Sequence, residues 1–181
     1  MDYEKLNERL AELPLYIYEF IDTSELVFAD RVRYICETEC PQYGKSWACP
    51  PAVGTVEECR ARVSRYKKGL LMSTITEVSD IANITETLAT RAPHEAITRQ
   101  VRDLLAEQAK DILVLSTESC AVCEKCAYPD APCRHPERMF PCVESYGILV
   151  TDLAEKHGID FLAGGNIVTW FSLLLYNEED A

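Results

Sequence analysis

Nine cysteines in a chain of 181 residues constrain this sequence more than any other feature. Cys36, Cys40, Cys49 and Cys59 lie in the N-terminal third, and Cys120, Cys123, Cys126, Cys133 and Cys142 follow a cysteine-free middle. Disulfide frameworks belong to small secreted domains, whereas thiols in a reducing compartment serve metal binding or redox chemistry. The N-terminus, MDYEKLNERLAEL, mixes acids and bases where a secretory signal would need a basic end and then an apolar run. The expected location is the cytoplasm, and the expected use of the thiols is metal ligation.

The rest of the composition describes what must hold those thiols. With 48% apolar residues, the chain can bury a core of its own. No apolar run reaches the roughly 18 residues that cross a bilayer, so no membrane association is expected. Thirty Asp and Glu against 18 Lys and Arg leave a formal charge of −12, the wrong sign for binding nucleic acid by counterion release. The small basic group of Arg60, Arg62, Arg65, Lys67 and Lys68 reads as a solvated helix face.

Neither an internal repeat nor a low-complexity linker divides the chain, so residues 1–181 read as one domain with an N-terminal cysteine group (36–59) and a C-terminal ferredoxin-like group (120–142). Leu15 to Ile21, the run GLLMSTITEV, and Asp111 to Thr117 have strand character. Thr55 and Glu58 have capping-box spacing before a helix with Val56, Cys59, Val63 and Tyr66 on one face. A second helical stripe joins Ile97, Val101, Leu104 and Leu105, with Pro93 in the first turn. Another helix is expected after Pro141, running to Gly158. Asp160 to Ala163 and Ile167 to Tyr176 flank Gly164-Gly165-Asn166 as a hairpin. The expected class is α/β or α+β, with about four strands, flanking helices and cysteine-rich loops that bind iron–sulfur clusters.

The second cysteine group reads CAVCEKCAYPDAPCRHP. Its C-x2-C-x2-C run wraps a short loop around one corner of an iron–sulfur cube, as in the ferredoxin pattern. Cys133, after six further residues, can close the same [4Fe–4S] cluster, and Lys125, Arg134 and His135 can balance its charge. Zinc is the alternative, although four-thiolate zinc sites favour two separate C-x2-C pairs. The first group is looser. Cys36-x3-Cys40 places two thiols on one face if helical, and Cys49-Pro50-Pro51 sets a third in extended backbone. Cys59 reads two ways, as a fourth ligand near a helix N-terminus or as a core thiol between Val56 and Val63. Cys142 is left over: it can replace Cys59 or another ligand, serve as a free thiol or simply pack, and packing is the favoured reading. His135 adjoins Cys133 and can cap or replace a ligand, although it reads first as a neighbour of one; His94 and His157 read as solvated residues near helix ends. Trp47, Tyr43 and Tyr128 can shield a cluster or simply pack. The C-x3-C-x8-C spacing does not fit radical-SAM chemistry.

Taken together, C-x3-C at Cys36, W-x-C-P-P-x-V-G-T-x-E-E-C from Trp47 to Cys59, C-x2-C-x2-C-x6-C-R-H-P from Cys120 to Pro136, and E-x-x-G-I at Glu144 resemble the DUF2284 family. The resemblance spans nearly the whole chain. It implies a cysteine-ligated metal centre, most plausibly iron–sulfur, and supplies no substrate.

The resulting expectation is one or two [4Fe–4S] clusters, held by Cys120, Cys123, Cys126 and Cys133 and by Cys36, Cys40, Cys49 and Cys59. They would pass electrons to a redox partner protein with a basic surface. Two alternatives remain: a cluster-dependent enzyme or activating factor with an open iron site, and a structural zinc-binding adaptor.

Overall fold

A computed structural model describes residues 1–178 of the protein. Strands β1 (Ile17–Asp22), β2 (Lys68–Glu77), β3 (Ala109–Leu115) and β4 (Ile167–Glu178) form one sheet in the order β1-β2-β4-β3. Each neighbouring pair is antiparallel, so the fold is α+β. The helices are α1 (Tyr3–Leu10), α2 (Asp30–Thr38), α3 (Val56–Val63), α4 (Ile84–Ala89), α5 (Arg91–Leu105) and α6 (Val150–Lys156).

An antiparallel sheet with one wet face shows alternating polar and apolar residues. Here the central strands instead carry the runs GLLM and LLLY, because both faces are covered. Leu71, Leu173 and Leu175 pack with Val63 of α3 and Leu153 of α6. Leu70, Met72, Leu174 and Tyr176 point the other way, toward Leu6 and Leu10 of α1 and Val101 and Leu105 of α5. Gly69 is required where β1, β2 and β4 crowd together: a Cβ there would lie 3.0 Å from Ile21 and 3.1 Å from Leu175.

Local signals explain most boundaries. Thr55 Oγ1 accepts the Glu58 N–H at 3.2 Å, and Glu58 Oε2 accepts the Thr55 N–H at 2.8 Å, which starts α3 immediately after the N-terminal cysteine loop. Pro93 does fall in the first turn of α5. The hairpin expected around Gly164-Gly165 does not form: residues 160–163 are not a strand, and β4 pairs with β2 and β3 instead. The helix expected after Pro141 is interrupted. A 3₁₀ turn over Glu144–Tyr146 ends at Gly147, whose φ of +76° suits glycine, and α6 begins only at Val150. The basic group does not share one helix face, since Arg60 and Arg62 lie on α3 while Lys68 opens β2.

His94 is a correction of another kind. It is buried on α5 rather than solvated, with Nδ1 and Nε2 each 2.8 Å from the hydroxyls of Thr74 and Ser172. Burial lowers its imidazole to about 4. In the unfolded chain the ring takes up a proton near pH 6.5, so stability falls as pH drops through that value. This ring should remove about 2 kcal/mol of stability between pH 7 and pH 5. In urea unfolding curves His94→Gln should flatten that slope, and an unchanged slope would show that the ring is not responsible.

Candidate metal centres

Between β3 and the 3₁₀ turn, residues 117–141 form no helix or strand. Backbone without a ladder needs other partners, and this loop is gathered around its own thiols. Cys120, Cys123, Cys126 and Cys133 line one largely enclosed cavity of ≈ 20 Å³, together with Arg134, His135 and Met139. Arg134 reaches back to donate to the Lys125 carbonyl and closes the loop on itself. Burial raises the Cys120 thiol, opposed by the Val122 N–H, and the Glu95 carboxylate and the thiols of Cys133 and Cys123 push it the same way as burial. Burial also acts upward on Cys126, but N–H groups of Tyr128 and Trp47 and the Ser46 hydroxyl outweigh it and lower that thiol.

A second cavity, of ≈ 230 Å³, lies at the N-terminal group. Cys36 stands in the last turn of α2 and Cys40 just beyond its end, where the Cys40 N–H still bonds to the Ile35 carbonyl at 3.2 Å. Cys49 sits in a series of turns, not in the extended backbone that Pro50 and Pro51 suggest. All three line the cavity, and so does Cys142. Glu118 and Glu144 complete its polar wall, and Ile35, Tyr43 and Pro50 are among its other sides. Glu118 has φ of +51°, a conformation that costs a non-glycine residue energy and recurs at functional sites. Burial, then the charges of Cys40 and Glu144, raise Cys36. Burial, Cys40, Cys36 and Glu118 push Cys49 up to about 12. Burial, then Glu144, raise Cys142 well above the usual thiol range, and its Sγ donates to Glu144 Oε2 at 2.7 Å.

Cys59 is elsewhere. Its side chain is fully buried in the core beside Val53 and Val63, with Sγ donating to the Val53 carbonyl at 3.5 Å. The guanidinium groups of Arg33 and Arg62 lie 3.8 and 3.5 Å from the sulfur. The same arginines hold the loop before α3: Arg33 donates to the Gly54 carbonyl at 2.7 Å and to the Ser145 carbonyl, and Arg62 to the Val53 carbonyl. Gly54 has φ of +89°, and a Cβ there would collide with the Glu58 carboxylate. The V-G-T-x-E-E-C end of the sequence motif is thus a capped and clamped helix start.

Residues 46–49 run between the two thiol groups: Cys49 lines the N-terminal cavity, and Ser46 and Trp47 reach the Cys126 thiol of the C-terminal one. Ser46 is buried, and its Oγ accepts the Ala48 N–H at 3.2 Å, which leaves its own proton for sulfur. That hydroxyl bears on both thiols, opposing the rise at Cys49 on one side and helping to lower Cys126 on the other. Trp47 donates from Nε1 to the Ala131 carbonyl at 3.1 Å and meets Tyr128 edge-on at 4.9 Å, so this tryptophan seals the second loop against the first. His135 lines the C-terminal cavity, whereas His157 is 3.1 Å from Glu25, away from both.

All nine cysteines are free thiols. Among the described residues no three Cys, His, Asp or Glu groups meet closely enough to hold a single ion. Each cavity does offer four thiols, a donor set that suits iron–sulfur clusters and zinc alike. Burial keeps several of these thiols protonated, so a metal group must displace protons to bind, and its positive charge replaces them.

Cysteine-walled cavities on an antiparallel α+β scaffold are the chemistry of a metal-binding protein. The chain belongs to the DUF2284 family, described as predicted metal-binding proteins, whose profile matches residues 19–176. No curated protein and no solved structure matches it. Sequence reasoning favoured packing for Cys142 over its alternative as a ligand in place of Cys59, and it did not identify the cavity positions of Glu118 and Glu144. The Glu144–Ile148 motif was the one signal that marked part of this wall.

The thiols should differ in reactivity once the protein is reduced and freed of metal. At neutral pH Cys126 should be alkylated fastest, and Cys49 and Cys142 slowest, in a mass-spectrometric time course. Equal rates for Cys126 and Cys49 would contradict the environments described.

Proposed function

We propose that the protein is an iron–sulfur electron-transfer protein of the cytoplasm, with a [4Fe–4S] cluster at each cysteine cavity. The observation that carries the proposal is the convergence of Cys120, Cys123, Cys126 and Cys133 on one enclosed space, from a loop with ferredoxin spacing and no ladder of its own. Such clusters take up and release single electrons, and their potentials respond to hydrogen bonds on the sulfurs and to solvent exposure. The chain supplies both controls: N–H and hydroxyl donors at Cys126, and the Trp47–Tyr128 contact over the loop. Arg134 places positive charge beside the C-terminal thiols, with the His135 ring next to it. The net charge of −12 suits a partner protein with a basic docking face, met at a rate that falls with added salt. Among the described residues no helix is long and apolar enough to cross a membrane.

Two observations favour other readings. The C-terminal cavity, at ≈ 20 Å³, is closer in size to one ion than to a cube, which favours a structural zinc unless the loop opens on loading. The N-terminal cavity, at ≈ 230 Å³, has room and carboxylates beside its thiols, which favours an enzyme or activating factor with an accessible iron.

Anaerobic purification separates these readings. The electron-transfer proposal expects a brown protein with about eight iron and eight sulfide per chain, and an EPR signal on reduction. Colourless protein containing only zinc would overturn it. A signal that shifts when small molecules are added would favour the enzyme.

A further inference from the structure

We infer that the N-terminal cavity is a four-thiolate metal site made by Cys36, Cys40, Cys49 and Cys142, with Cys59 outside it. This deepens the proposed function and rests on reading the cavities as metal centres.

Three independent placements support the assignment. First, Cys142 opens onto the same cavity as Cys36, Cys40 and Cys49, and Cys59 does not. Second, the backbone at Cys142 is anchored directly to the other ligand loop. Its N–H donates to the Ala48 carbonyl at 3.2 Å, one residue before Cys49, and it forms a parallel bridge with Ser116 at the end of β3. Val143 continues that bridge by donating to the Ser116 carbonyl at 2.9 Å. A residue held this way cannot drift from Cys49. Third, Cys59 already has a complete environment: the Val53 carbonyl as acceptor, two guanidinium groups against its sulfur, and Val63 as an apolar neighbour. Turning its side chain into the cavity would dismantle the start of α3.

The donor count also balances. The five C-terminal cysteines divide into four that close their own loop and a fifth that crosses to the N-terminal site. The four N-terminal cysteines divide into three ligands and one core residue. Eight thiols then serve two sites and the ninth serves the core. Glu144 accepts the Cys142 proton and stands where that thiol must give it up on metal binding.

The test uses anaerobically purified full-length protein, with circular dichroism to confirm folding. Wild type should hold about eight iron per chain. Cys142→Ser and Cys142→Asp should lose up to half of that iron, or give the oxidised EPR signal of a three-iron cluster. Cys59→Ala and Cys59→Ser should keep wild-type iron, sulfide and spectrum, even at lower stability. A Cys142 variant with unchanged iron and EPR, or a Cys59 variant that loses a cluster, overturns the assignment.

A footprint of wild type needs no variant. Compared between loaded and chelator-stripped protein in mild urea, alkylation of Cys142 should rise on stripping together with Cys49, while Cys59 keeps one rate in both states. The opposite pattern overturns the assignment as well. Wild type that lacks iron and sulfide contradicts the proposed function itself. Loaded wild type with an indifferent Cys142 contradicts only this ligand set.

Discussion

The backbone crossing at Ser116 and Cys142 holds the rest of the site together. β3 ends at Leu115, and the next residue bridges to Cys142 across the base of a loop that has no regular structure. The Cys142 N–H then reaches Ala48 in the other cysteine loop. Two hydrogen-bonded crossings therefore fix both ends of the C-terminal loop and one point of the N-terminal loop relative to the sheet. The loops themselves are free to take the shape that their thiols demand. This is a common division of labour, in which a rigid sheet positions segments whose chemistry cannot be built from strands or helices.

The electrostatics follow from the same arrangement. Bringing thiols together out of water raises them, as at Cys36, Cys49, Cys120 and Cys142, because neighbouring negative charge and low polarity both disfavour thiolate. Glu144 is raised for the same first reason, burial. The N-terminal cavity thus gathers thiols and a carboxyl whose charged forms burial disfavours, Cys49 and Cys142 among them. A metal group with positive charge removes that conflict, which couples loading to loop order. Cys126 is the exception that marks the boundary between the sites, with hydrogen-bond donors arriving from both Ser46 and Trp47 of the opposite loop. Ser46 therefore bears on a thiol of each cavity, Cys49 on one side and Cys126 on the other.

Much of this was legible in the sequence where local chemistry decides the outcome. The capping box at Thr55 and Glu58, the strands expected over Leu15–Ile21 and Asp111–Thr117 and found at Ile17–Asp22 and Ala109–Leu115, and the gathering of Cys120, Cys123, Cys126 and Cys133 on one cavity all rest on short-range spacing. What spacing could not show was set by long-range pairing. The apolar run Ile167–Tyr176 suggests a strand, yet nothing local tells that it lies between β2 and β3 and not in a hairpin with residues 160–163. His94 resembles a solvated residue until Thr74 and Ser172, from different strands, enclose it. Cys59 and Cys142 show the same limit most clearly. Cys59 belongs by sequence to the N-terminal motif and by packing to the core. Cys142 belongs by sequence to the C-terminal group and by contact to the N-terminal cavity.

The proposal that the two thiol-lined cavities are separate iron sites is tested most directly by anomalous diffraction at the iron edge, on crystals of anaerobically prepared protein. The account predicts two separate iron peaks, one among Cys120, Cys123, Cys126 and Cys133 and one beside Cys49, on opposite sides of Ser46. Peaks absent from both cavities, or a single zinc peak in their place, would contradict it.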